Sequence, residues 1–213
     1  MATNNKPDDH HHKGQSAECR VSSVEGGGFA RFMLFARNFL KHPNMVGWML
    51  PSSPFLVNEV LKQIDWDKAR VIVEYGPGVG TFTAEVLARM HPEATLIALE
   101  TNAEFFEFLN GSLRDPRLRL VHESATEIDA VLKKLGYAHA DHVISGIPFK
   151  TLPHALRDTI VRKTYSVLRP SGSFLVYQLS SAVLPYLEKV FGKVSRDFEL
   201  LNIIPAQLFY CAR

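Results

Sequence analysis

The stretch VIVEYGPGVGTFT, Val71 to Thr83, ends an apolar run in Glu74 and follows it with glycines at positions 76, 78 and 80. Glycine lets the chain turn tightly and lets backbone approach a ligand that a Cβ would hold off. A helix that starts here offers free N–H groups at its first turn. The next apolar run, ATLIALE, ends in Glu100, whose carboxylate can accept hydrogen bonds from ribose hydroxyls. A dinucleotide fingerprint, Gly-x-Gly-x-x-Gly, needs glycine at position 81, which holds Thr81. The spacing is instead acidic-x-Gly-x-Gly-x-Gly, and an acidic residue beside a pyrophosphate would repel it. The pattern suits a ligand with a ribose and a charged ammonium. The plain alternative is a strand-to-helix turn with glycines for packing, and Glu100 at the end of the next strand weighs against it.

A second group sits in SGIPFK, Ser145 to Lys150, again after an apolar run. The rings of Phe149 and Tyr75 could face a cation. His142, His154, Tyr75 and Asp158 are the residue types nearby that could take a proton, each with a structural role as the alternative. The triplet His10–His12 lacks partner residues at ligand spacing, so no metal is expected.

These residues need elements to hold them. ARVIVEYG, ATLIALE, LRLVHES, ADHVISGI and GSFLVYQLS read as strands. GTFTAEVLARMH, NAEFFEFLNGSL, EIDAVLKKLG and LPHALRDTIVRKTYSVL read as the helices between them. That alternation predicts a parallel sheet with helices on both faces. KVSRDFELL and AQLFYCAR are too close for a crossover helix and predict an antiparallel hairpin at the sheet edge.

Residues 1–28 are polar, aperiodic and glycine-ended, and read as a disordered tail. Residues 29–69 carry two amphipathic helices. From Phe29 through RFMLFARNFLK, Phe29, Phe32, Phe35 and Phe39 share one face and Arg31, Arg37 and Lys41 the other; a second helix follows from Pro54 to Ile64. The remaining unit is 70–213. With 24 Lys and Arg against 22 Asp and Glu, the net charge of +2 gives no global basic field for nucleic acid. Cys19 and Cys211 form neither a disulfide framework nor a zinc spacing, and no apolar run is long enough to span a bilayer. A cytoplasmic chain is expected.

VEYGPGVG, ALETNAEF and VHESATEI together resemble the class I S-adenosylmethionine-dependent methyltransferases over residues 70–213. The resemblance implies an α/β, Rossmann-like fold: a seven-stranded sheet, six strands parallel and one reversed, ending in the antiparallel hairpin. It implies S-adenosylmethionine as cofactor and S-adenosylhomocysteine as product. Glu74, Gly76, Pro77, Gly78, Gly80, Glu100 and Thr101 would hold the cofactor, with Ser124 and Ala125 at its adenine. Methyltransferases of exocyclic base amines, including ribosomal RNA adenine dimethyltransferases, carry Asn or Asp before the Pro-aromatic pair, where this chain has Ser145-Gly146-Ile147.

FLKHPNMVGWMLPSSPFLVNEV, SGIPF and LLNIIPAQLFYCAR together resemble the bacterial phospholipid N-methyltransferases over residues 29–213. That likeness implies methylation of the amine of phosphatidylethanolamine, or a related amino lipid, at the inner face of a membrane. Ser52 and Ser53 would lie close to the cofactor, and Ser145, Pro148 and Phe149 would border the transfer site. Phe32, Phe35 and Phe39 would enter an anionic surface flanked by Arg31, Arg37 and Lys41. A lid over the cofactor is the other reading of that helix, and the two are compatible. The competing functions are an RNA adenine methyltransferase, a methyltransferase of a small soluble amine, and a non-catalytic cofactor-binding protein.

Overall fold

The Ser53 hydroxyl accepts the Leu56 N–H, and Pro54 supplies a fixed φ at the first helical position of α1 (Pro54–Leu61). A computed structural model describes residues 52–202 and 205–213. The tail 1–28 and the helix expected over Phe29–Lys41 lie outside the described residues. α1 ends at Leu61, short of Ile64, because the chain tightens into turns through Gln63 and Ile64.

Strand and helix then alternate: β1 (Val71–Tyr75), α2 (Thr81–Arg89), β2 (Thr95–Leu99), α3 (Ala103–Ser112), β3 (Leu118–Val121), α4 (Ile128–Lys134), β4 (Ala140–Ser145), α5 (His154–Val167), β5 (Leu168–Gln178), α6 (Leu184–Phe191), β6 (Val194–Glu199) and β7 (Ala206–Ala212). α6 is an element that the alternation read from sequence lacks; Leu184, Leu187 and Phe191 carry its helical spacing.

The strands form one sheet of seven in the order β3-β2-β1-β4-β5-β7-β6. Neighbours from β3 to β5 pair parallel, while β7 runs antiparallel to both β5 and β6. One strand of seven is reversed, as the resemblance implies, and β6 is the edge. Period-two alternation divides the core. Ile72, Leu96, Ile144 and Leu175 face α1 and α2, with Leu56, Val60, Phe82 and Val86. Val73, Ile97, Val143 and Phe174 face α4, α5 and α6, with Ile128, Ile160 and Leu187. Strand order reverses between β1 and β4, so the crevice at their carboxyl ends is where this architecture binds ligands. Among the described residues no helix is long and apolar enough to cross a membrane.

Candidate functional site

The crevice is a cleft of about 270 Å³ bordered by Gly76 and Gly78, by Glu100, Thr101 and Asn102, by Ser124 and Ala125, and by Gly146, Ile147 and Pro148. Gly76 and Gly78 both adopt left-handed backbone, φ 68° and 56°. A Cβ on Gly78 would meet nothing within 4 Å among the described residues, so they leave this edge of the cleft as open backbone.

Glu100 is fixed from two sides. One carboxylate oxygen accepts the Asn102 N–H at 2.8 Å and the other the Gly78 N–H at 3.1 Å. Burial raises its pKa against those hydrogen bonds. Asn102 in turn caps α3, accepting the Glu104 and Phe105 N–H groups, which sets the wall beside Glu100. Ser124 caps a short turn by accepting the Thr126 N–H, and this turn brings Ser124 and Ala125 to the far end of the cleft. Leu99, Phe105, Leu152, Leu156 and Ile160 give the cleft apolar walls. Of these, Leu152, Leu156 and Ile160 follow one another at helical spacing in LPHALRDTI, so their shared face is encoded in the sequence.

Glu74 lies beneath the glycine turn, 1% exposed. One carboxylate oxygen accepts the Thr83 hydroxyl at 2.7 Å, and the other has no hydrogen-bond partner among the described residues. Burial pushes its pKa up to about 7, the Thr83 bond opposes that, and the Glu100 charge adds to it. Glu74 itself is not among the residues lining the cleft. Pro77 is buried outside the cleft lining, and Gly80 opens α2 against Leu109 of α3, so both shape the turn from behind. Ser53 caps α1 and donates its N–H to Asn202 Oδ1 at 2.9 Å. The Ser52 side chain lies near the Tyr177 hydroxyl.

Three residues expected at the reaction site face elsewhere. Tyr75 follows Glu74 on β1 and so points to the opposite sheet face, fully buried, its hydroxyl bonded to Thr164 at 3.2 Å. Phe149 is likewise fully buried in the α5-side core and offers no ring face to the cleft. The buried Ser145 hydroxyl accepts the N–H of Ile147 at 3.4 Å. Pro148 lines the cleft. None of the four candidate proton acceptors reaches it. His142 is buried on Ser173, with its pKa lowered by burial. His154 pairs with Tyr186, and Asp158 with Arg162 and Lys189. Among the described residues no His, Cys, Asp and Glu cluster could hold a metal ion.

A carboxylate for ribose hydroxyls, an open glycine edge and an apolar far end together suit a nucleoside carrying a charged side chain. The sequence profile described as Ribosomal RNA adenine dimethylase matches residues 50–183. The chain belongs to that family. It is an S-adenosylmethionine-dependent methyltransferase. An ornithine lipid N-methyltransferase of Singulisphaera acidiphila is 31% identical over 182 residues, covering 84% of this chain and 95% of that protein. Human methyltransferase-like protein 13, solved with S-adenosylhomocysteine, has a TM-score of 0.58 at 18% identity, covering 74% of this chain and 79% of that one. The 1,6-didemethyltoxoflavin-N1-methyltransferase of Burkholderia thailandensis has a TM-score of 0.59 at 14% identity, covering 87% and 89%. Both likenesses show the fold.

Proposed function

We propose that this methyltransferase acts on the primary amine of a lipid headgroup, in phosphatidylethanolamine or an ornithine lipid. The observation that carries the reading is the wall where β4 opens into the cleft. It offers Gly146 in place of a side-chain amide, and the Phe149 ring is buried, so at this wall a flat nucleobase would find, among the described residues, neither an amide for its amine nor a ring to stack on. An aliphatic amine needs neither. The ornithine lipid enzyme, similar along nearly its whole length, supports the same substrate class.

Glu100 holds the ribose hydroxyls of S-adenosylmethionine, Gly76 and Gly78 let it approach the backbone, Glu74 faces its ammonium, and Ser124 and Ala125 border the adenine. When bound, the cofactor supplies a methyl group on a sulfonium, open to in-line attack by an amine nitrogen. The protein's own contribution is alignment and exclusion of water by the apolar walls.

The substrate class calls for a membrane surface, reached from the cytoplasmic side. Phe32, Phe35 and Phe39, with Arg31, Arg37 and Lys41, form one contact. Leu200 and Leu201, 68% and 63% exposed, form another beside α1.

The test offers methyl-labelled S-adenosylmethionine and purified protein to three acceptors in parallel: phosphatidylethanolamine vesicles containing phosphatidylglycerol, matching ornithine lipid vesicles, and unmodified ribosomal RNA. Label in one or both lipids is the expected result, and the two vesicle arms identify the headgroup. Label in RNA alone overturns the proposal.

A further inference from the structure

The wall at the end of β4 is almost bare of polar side chains. Between Gly146 and Leu156 the cleft is lined by Ile147, Pro148, Thr151 and Leu152, and the Thr151 hydroxyl is committed to the Pro148 carbonyl at 2.9 Å. Gln178 donates to the Ile147 carbonyl and fixes that peptide. Among these lining residues an acceptor amine finds only the Thr151 oxygen as a side-chain partner, so a further polar group at the β4 end would come from outside them.

Tyr177 supplies one. It lies on β5, paired with Leu208 of β7, and its ring stacks on Phe82 with centroids 4.4 Å apart and an interplanar angle of 13°. A Cβ built on Gly146 would lie 2.2 Å from the Tyr177 hydroxyl oxygen and 2.6 Å from Cζ. The phenol thus fills the volume that a side chain at position 146 would enter, and glycine there is a requirement of the phenol. The Ser52 side chain stands beside the same hydroxyl. The phenol oxygen carries lone pairs that can accept an incoming N–H.

We propose that the Tyr177 hydroxyl positions the acceptor amine by accepting one of its N–H groups, and that the Gly146–Tyr177 pair selects an aliphatic amine over an aryl one. The inference rests on the amino-lipid reading above and names the residue that carries it. Tyr177 is a hydrogen-bond partner and not the base, since burial and the Glu74 carboxylate push its ionisation above the ordinary tyrosine range.

The variant Tyr177→Phe removes the oxygen and keeps the ring that stacks on Phe82. It is assayed on whichever of phosphatidylethanolamine or ornithine lipid vesicles the wild type labels, and on the N,N-dimethyl derivative of that lipid. Loss of one positioning hydrogen bond should lower kcat on the primary amine about tenfold, with vesicle KM, S-adenosylhomocysteine affinity and thermal midpoint unchanged. A neutral dimethylated amine has no N–H to give, so transfer to it should fall less than twofold. Equal slowing of both acceptors, or none on the primary amine, overturns this inference alone. If the wild type leaves the dimethyl lipid unlabelled, the separation of kcat from vesicle KM on the primary amine decides. Wild-type protein that labels no amino lipid overturns the substrate reading and this inference together.

Discussion

Glu74 combines near-complete burial, a single hydrogen bond from Thr83 and a free oxygen, and its pKa stands at about 7. In the ligand-free protein this group holds its proton in the fold well above the pH at which an unfolded chain releases it. Its contribution to stability is complete below the ordinary carboxylate value of 4.5 and is lost as pH rises through about 7. Thermal midpoints of the ligand-free protein should therefore fall across that window, and Glu74→Gln should flatten the decline. A bound ammonium reverses the preference by favouring the ionised carboxylate. Titration calorimetry should then find S-adenosylhomocysteine binding roughly tenfold tighter at about pH 8 than at about pH 5.5, with proton release in the wild type and neither effect in Glu74→Gln. The acidic-glycine spacing made Glu74 visible in the sequence. It could not reveal that Thr83, a turn later on α2, would take one of the two carboxylate oxygens and leave the other free.

The elements are aligned by polar groups as well as by the core. Asp141 at the start of β4 accepts the N–H groups of Arg70 and Val71 at the start of β1, both at 2.7 Å, and pairs with Arg169 on β5. One carboxylate thereby sets the relative starts of three adjacent strands, and their carboxyl ends form the cleft. Replacing it with alanine leaves two strand-start donors and a cation without their partner, so Asp141→Ala should cost about 2 to 3 kcal/mol in urea unfolding. At the start of α2, Gly80 has φ 81°, and a Cβ there would lie 2.6 Å from Leu109 Cδ2 of α3. Gly80→Ala should cost about 1 to 3 kcal/mol by the same measurement, through left-handed backbone strain and crowding against α3. The alternation of strands and helices was legible in the runs themselves, as was the terminal hairpin. α6 was not, because SAVLPYLEKVFG follows a strand without a clear cap: no side chain caps the helix at Val183.

On the scale of the whole molecule, the exposed leucines of the β6–β7 loop and the cleft are linked through short contacts. Asn202 bonds to Ser53, the neighbouring Ser52 meets Tyr177, and Tyr177 abuts Gly146 at the cleft. A membrane held at that loop would lie on the same chain of contacts as the acceptor wall. Changing Leu200 and Leu201 together to serine should lower cosedimentation with vesicles of phosphatidylethanolamine and phosphatidylglycerol severalfold, because each buried leucine is worth roughly 1.5 to 3 kcal/mol of transfer. The thermal midpoint should stay unchanged, since both side chains already face solvent.

The sequence by itself determined the order of elements, the glycine turn with Glu74 and Glu100 at adjacent strand ends, and the departure at Ser145-Gly146-Ile147 from a base-binding wall. These depend on local spacing, which the chain carries from one residue to the next. Tertiary structure decided which side chains face the cleft. Alternation along β1 sends Glu74 and Tyr75 to opposite sides of the sheet, and the α5-side core takes the Phe149 ring. Tyr177, distant in sequence from Gly146, takes the space beside it because β4 and β5 pair in a register that aligns Ser145 with Val176. Such a contact follows from strand pairing across the sheet, and no local pattern encodes it.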